Sequence, residues 1–209
     1  MRAIVKGVEP TSLAEYRCTL HANYAGYRDK DILRTSLVTE QRGLCCYCLS
    51  RIPGSGMKIE HWHSQDGYPT EQLDYTNLLG ACLGNEGQPG KQQHCDTRKG
   101  DRDLSRNPAN PMHHVEELIQ FEAGGRIVSN DPAFNAELND VLNLNEAFLM
   151  NNRKAMLEAF KATLVKRGNL PRPTLERWVR EWSGESHTGQ LQPFCQVVVY
   201  WLRKRLARA

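Results

Sequence analysis

Five of the seven cysteines, Cys45, Cys46, Cys48, Cys82 and Cys95, fall within 51 residues, while Cys18 and Cys195 stand alone. The total is odd, and Met1-Arg2-Ala3-Ile4-Val5-Lys6 leads into no apolar secretory stretch. Clustered thiols containing C-x2-C therefore argue for a metal site rather than a disulfide framework. A C-x2-C turn puts Cys45 and Cys48 on one side of a tight knuckle. Cys82 and Cys95, arriving from a distant segment, would complete the tetrahedral sulfur field of a structural zinc ion. Twelve residues separate Cys82 from Cys95, so the Gly-, Gln- and Asn-rich insert between them must loop out for both sulfurs to reach one ion. His94 in place of Cys95, or Cys46 in place of Cys45, are variants of that ligand set. The bland alternative, buried free thiols, is common for single cysteines and not for five together. Cys18 and Cys195 should tolerate replacement by serine.

Between the two halves of the cysteine set lie Lys58-Ile59-Glu60-His61-Trp62-His63 and Asp74-Tyr75-Thr76-Asn77-Leu78-Leu79, with His94-Cys95-Asp96-Thr97-Arg98-Lys99-Gly100 at its end. The series C-x2-C, E-H, N-L-L, C and H-C-D-x2-K-G resembles the HNH endonucleases. That resemblance implies a ββα-metal fold in which one catalytic divalent ion sits between a hairpin and a helix, often braced by a separate zinc. The opening Met1-Arg2-Ala3-Ile4-Val5-Lys6 with Glu9-Pro10, the phrase Glu40-Gln41-Arg42-Gly43-Leu44-Cys45-Cys46-Tyr47-Cys48 and the later Val141-Leu142-Asn143-Leu144-Asn145 resemble the PtuB family over most of the chain. PtuB is the HNH component of Septu and some retron anti-phage systems. The resemblance implies a nuclease that hydrolyses phosphodiester bonds of nucleic acid, with DNA the expected substrate, and that acts beside an ABC-type ATPase oligomer of the PtuA kind.

Such hydrolysis needs a base that takes a proton from water near neutral pH, which an imidazole with an ordinary pKa of about 6.5 can do; His61 is assigned that role. It also needs a divalent ion, magnesium or manganese, held by hard oxygen ligands with open positions. By resemblance Glu60 and Asp96 are those ligands. Asn77 matches the middle letter of HNH and is expected to hold the loop, or the His61 backbone, by hydrogen bonds. Lys99, three residues after Asp96 on the same helical face, could contact a phosphate. Adjacent side chains of an ideal strand point to opposite faces, so Glu60 and His61 share an ion only if the strand bends or ends there. His63, on the face of His61, is the alternative member of the site. Arg98, Lys99, Arg102 and Arg106 form either a basic edge for backbone phosphate or a solvated helix balanced by Asp101 and Asp103. His21, His113, His114 and His187 are most simply surface or capping residues.

Two other classes compete. A noncatalytic zinc module, binding nucleic acid or protein, would use the cysteines and leave Glu60, His61, Asn77 and Asp96 without a reason. A zinc deaminase needs H-x-E followed by P-C-x2-C, whereas here Glu precedes His and the only C-x2-C comes first.

These residues must be positioned by a chain of 209 residues, 40% apolar and 24% charged, enough for one sizeable core or a small core with a helical extension. The net charge of +3 names no partner: residues 1–110 carry 14 basic and 13 acidic side chains, and residues 111–209 carry 13 and 11. The longest apolar run, 197–202, has six residues, where a spanning helix needs about 20, so a cytoplasmic protein with no membrane role is expected. The patterning predicts an α+β, mostly helical chain: N-terminal helices over 1–40, a zinc-braced HNH unit over 41–107, and a hairpin followed by helices over 108–209. Ser12 should cap a helix burying Leu13, Tyr16 and Leu20, and Asp29 or Asp31 a second burying Ile32 or Leu33, Leu37 and Val38, stopped at Gly43. The texture of 42–110 is Gly, Pro, Asn and Asp punctuation, as where a metal replaces an apolar core. Gly124-Gly125 suits a hairpin turn. Asp131-Pro132 begins a return to helix; Leu142 through Leu164 fit one long amphipathic helix, or two, ending near Gly168. Thr174 should cap a helix with Trp178 and Trp182, and Pro193 should start a last helix to Arg208. The aromatic stripes suit a private helical core or an interface; the resemblance favours an interface with the ATPase.

Overall fold

In a computed structural model of the chain, which describes residues 1–164, 170–186 and 188–208, the architecture is α+β and mostly helical. Helix α1 (Thr11–Arg17) buries Leu13 and stops at Cys18, so Leu20 lies beyond its end and is 87% exposed. Helix α2 (Lys30–Glu40) buries Leu33 and Leu37 and ends before Gly43, whose φ of +77° suits glycine. Strands β1 (Lys58–His61) and β2 (Leu78–Ala81) pair antiparallel, with Glu60 opposite Leu79 and His61 opposite Leu78. The short helix α3 (Cys95–Lys99) follows.

Helix α4 (Val115–Leu118) runs into the predicted hairpin of β3 (Ile119–Phe121) and β4 (Ile127–Ser129), turned at Gly124 and Gly125, both at positive φ. Asp131 caps helix α5 (Pro132–Ala136) by accepting from the Ala133 and Phe134 N–H groups. The long helix expected from Leu142 onward is interrupted. The chain makes a π-type turn over Glu137–Val141, Asn143 takes a left-handed φ of 48°, and helix α6 (Ala147–Ala162) starts afresh under a Glu146 cap. Leu142 and Leu144 are fully buried as loop residues, whereas Phe148 is 59% exposed. Helix α7 (Arg172–Ser183) begins ahead of Thr174, because Pro173 in the first turn forfeits no intrahelical bond. Helix α8 (Cys195–Leu206) follows Phe194. Gly168 and His187 lie outside the described residues.

One buried cluster draws on Leu13, Leu33 and Leu37, on Tyr47, Leu78 and Leu79, and on Phe134, Leu142 and Leu149, so it crosses all three sequence segments. A second belongs to the last helices: Phe160, Leu175, Trp178, Val197, Val198 and Leu202. Phe160 stands edge-on to Trp178, Trp182 and Trp201 at 5.8, 5.3 and 5.9 Å, a geometry favoured by ring quadrupoles. Cys195, expected to be indifferent to replacement, is fully buried beside Leu44, Leu49 and Leu191. Among the described residues no helix is long and apolar enough to cross a membrane.

Candidate functional site

The knuckle forms because the chain reverses within five residues: Cys45 N–H donates to Ser50 O at 2.9 Å and Leu49 N–H to Cys45 O at 3.2 Å, with Leu49 at φ 67°. Cys82 follows β2 directly and Cys95 opens α3. The sulfurs of Cys45, Cys48, Cys82 and Cys95 all lie within 4.8 Å of one another, with Cys45 to Cys95 at 3.9 Å and Cys48 to Cys82 at 3.7 Å. Zinc–sulfur bonds of about 2.3 Å imply a tetrahedron edge of about 3.8 Å, so this group could hold a metal ion such as zinc. Ser50 N–H lies 3.4 Å from the Cys48 sulfur. The insert between Cys82 and Cys95 does loop out, closed by His94 N–H donating to Gly84 O at 3.0 Å; a Cβ on Gly84 would collide with the His94 carbonyl oxygen. His94 Nδ1 sits 3.2 Å from the Cys95 sulfur, beside the converging group and not within it. Among the described residues no other set of three or more His, Cys, Asp or Glu converges in this way.

Burial pushes the Cys95 thiol well up. Burial acts the same way on Cys45, but hydrogen bonds from Cys46, Cys48, Cys82 and Cys95 outweigh it and hold that thiol well below its usual range. A bound cation would favour the thiolate forms that bind it.

The knuckle is fastened to the hairpin by Gln41, a residue the sequence reading did not single out. Buried to 4% exposure, its Nε2 donates to Leu44 O at 2.8 Å and Gly80 O at 2.7 Å, and its Oε1 accepts from Gly80 N–H at 2.6 Å. Gly80 leaves room for this bridge: a Cβ there would lie 2.8 Å from Met57 Cε and 3.1 Å from Gln41 Nε2, so both side chains would have to shift.

Glu60, His61 and Asp96 line one cavity of about 490 Å³, together with Arg34, Ser64 and Asp66. Strand β1 ends at His61, which still pairs with Leu78. His63 is engaged elsewhere: Nδ1 is 2.7 Å from Glu71 Oε2, and its ring stacks on Tyr68 at 4.0 Å. Asn77 pins the loop through both its amide atoms, with Oδ1 accepting from His63 N–H at 2.8 Å and Nδ2 donating to His63 O at 3.0 Å and Glu71 O at 3.2 Å.

His61 Nε2 is 3.0 Å from Gln72 O, and the edge of Tyr24 meets the ring at 4.5 Å. Burial pushes the imidazole pKa down, and the nearby Lys99 ammonium adds to the shift. Burial, then the neighbouring Asp96 carboxyl, push the Glu60 carboxyl well up. Glu60 Oε1 accepts from Tyr47 Oη at 2.7 Å and pairs with Lys99 Nζ at 3.0 Å. Lys99, expected to reach a phosphate, is 1% exposed, and its ammonium also donates to His61 O at 3.0 Å. The group that anchors Glu60 from the opposite side, Tyr47, went unnoticed in the sequence because nothing between two cysteines marks a tyrosine as polar machinery.

The remaining cations of the proposed basic edge brace the chain. Arg98 Nη1 donates to Gly90 O at 3.0 Å, Arg102 donates to Lys99 O and Val141 O, each at 3.0 Å, and Arg106 pairs with Asp131 at 2.9 Å. His113 is a loop fastener, its Nδ1 accepting from Asn107 N–H at 2.7 Å. No protein-family model and no curated protein matches the chain.

Proposed function

We propose that this chain is an HNH endonuclease that hydrolyses phosphodiester bonds of nucleic acid, DNA foremost. The observation that carries the reading is the meeting of Glu60, His61 and Asp96 in one cavity beside the β1–β2 hairpin and α3. With Nε2 donating to Gln72 O, the neutral imidazole keeps Nδ1 as its acceptor, which is the form a general base requires. The downward pull on its pKa keeps His61 unprotonated at neutral pH, ready to take a proton from water. Asn77 fixes the turn that carries it. Glu60 and Asp96 are hard oxygen donors with adjacent carboxyls, a pair suited to magnesium or manganese that keeps its remaining positions for water and substrate. A divalent ion bound there would stabilise charge on the phosphoryl and leaving oxygens. Lys99 and Tyr47 hold Glu60 in place, and zinc on the four cysteines braces the unit.

The wider role, effector of an anti-phage complex with an ABC-type ATPase that restrains the nuclease at rest, rests on the sequence resemblance to PtuB. The test of the chemistry is cleavage by the purified full chain of duplex DNA, single-stranded DNA and RNA with magnesium or manganese, repeated with His61→Ala. The variant should lose about 10²–10⁴-fold in rate with unchanged zinc content, in protein that remains folded. A parent that binds metal and nucleic acid but never cuts would leave the noncatalytic module; cleavage that survives His61→Ala and dies in His63→Ala would move the base to His63.

A further inference from the structure

The net charge of +3 conceals a steep internal division. Residues 147–209 carry twelve Lys and Arg against four Asp and Glu, while residues 111–146 carry one against seven. Apart from Arg153, which is buried, every described Lys and Arg of the 147–209 stretch is exposed. Ion pairs occupy Lys154, Arg172 and Arg203. Three of the others gather: Lys161 of α6 and Arg205 of α8 both lie over the Trp201 ring, 5.6 and 5.4 Å from its centroid, and Lys204 lies 5.7 Å from that of Tyr200. Cations brought from two helices to one indole make a local positive patch that a polyanion would complement.

We infer that α6–α8 form the surface that holds the phosphate backbone of a nucleic acid, through Lys161, Lys204 and Arg205. This deepens the nuclease reading and rests on it for the choice of polyanion. The cavity that would cut has little means of retaining such a substrate: its charged lining is Glu60, Asp66, Asp96 and Asp101 against Arg34 and Lys58. Lys58 is itself paired with Glu86 at 3.0 Å and Asp96 at 3.4 Å. Lys99 and Arg106 are also paired with acids, and Arg98 and Arg102 are tied to backbone carbonyls. Duplex DNA carries about one negative charge per 1.7 Å of axis, so affinity has to come from cations outside the cavity, and this bundle holds the chain's largest excess of them. The acidic stretch meets this surface where Glu116 and Glu117 line a groove with Arg203 and Lys204.

The experiment is binding without cleavage: fluorescence anisotropy of labelled duplex DNA and single-stranded RNA with the full chain, no added magnesium or manganese, across a salt series. The bundle variant Lys161→Gln/Lys204→Gln/Arg205→Gln is compared with Arg28→Gln/Lys91→Gln/Arg126→Gln, which removes the same charge elsewhere. The bundle variant should lose on the order of tenfold or more in affinity near 0.1 M salt, with a log–log salt slope shallower by about 2 to 3; the control should stay within about twofold. Both should keep the parent's melting temperature and zinc content. Equal losses in the two variants would overturn the inference, as would unchanged nucleic-acid binding in a bundle variant that no longer co-purifies with the ATPase, which would give the surface to an acidic protein. Bundle-dependent binding by a parent that never cleaves would sink the nuclease reading and leave this surface standing.

Discussion

The central unit and the bundle of α6–α8 solve the same problem, holding a short stretch of chain in one shape, with opposite means. In the central unit the buried side chains include Gln41, Glu60, His61, Asn77 and Lys99, each placed by one or two particular partners, and four cysteines from three segments share one point. In the bundle Phe160 meets three tryptophans and Val197, Val198 and Leu202 fill the space between helices. Apolar packing asks for volume and tolerates exchange. A buried polar network asks for every partner at once, since each orphaned group costs its full desolvation. Glu60 and His61, to which the proposed chemistry is given, sit in the second kind of region, where a carboxylate and an imidazole are held by particular partners.

The comparison breaks most severely on metal removal. Chelation, or Cys48→Ser or Cys95→Ser, should release one zinc per chain. It should also melt the central unit, because structural zinc contributes on the order of 10 kcal/mol to small sites. The near-ultraviolet signal of Trp178, Trp182 and Trp201 should outlast that transition. Full zinc content in Cys48→Ser would refute the ligand assignment. One step down, Lys99→Met and Phe160→Ala should each cost about 3–5 kcal/mol in denaturant unfolding, the first by stranding Glu60, the second by leaving a cavity. They should differ in what else they lose: Lys99→Met should abolish cleavage, and Phe160→Ala should spare it in the fraction that remains folded.

A smaller effect sharpens the link between the metal knuckle and the cavity. Tyr47→Phe deletes one hydroxyl between Cys46 and Cys48, and with it the 2.7 Å bond to Glu60. Manganese affinity, read by titration calorimetry, should fall about 10-fold as expected for a lost outer-shell partner, with zinc retained. Unchanged manganese affinity would separate the knuckle from the site. Smallest of all, Cys195→Ser should cost about 1–2 kcal/mol for placing a hydroxyl in an apolar pocket, while Cys18→Ser on the exposed end of α1 should cost nothing measurable by thermal melting.

The amino-acid sequence by itself pointed to the four cysteines that converge, because a C-x2-C turn and two further cysteines in one stretch leave few ways to surround one ion. It also determined the Gly124–Gly125 hairpin and helix α5, because turn and capping chemistry acts within a few residues. The order Glu60, His61, Asn77, Asp96 was legible as a motif. Periodicity misplaced Leu142 and Leu144 onto a helix because burial alone cannot tell a loop that dips into the core from a helical face; the left-handed turn at Asn143 leaves the apolar spacing intact. Tertiary structure alone decided that Glu60, His61 and Asp96 line one cavity. It also turned Lys99 inward to Glu60 and gave Gln41 and Tyr47 their partners 39 and 13 residues away. It brought Lys161 and Arg205 together over one ring, although they stand 44 positions apart in the chain. The physical reason is common to these cases. Local sequence sets which backbone shapes are cheap, whereas the partner that satisfies a buried donor, or the neighbour that leaves a charge unsatisfied, comes from whichever segment the fold carries to that point.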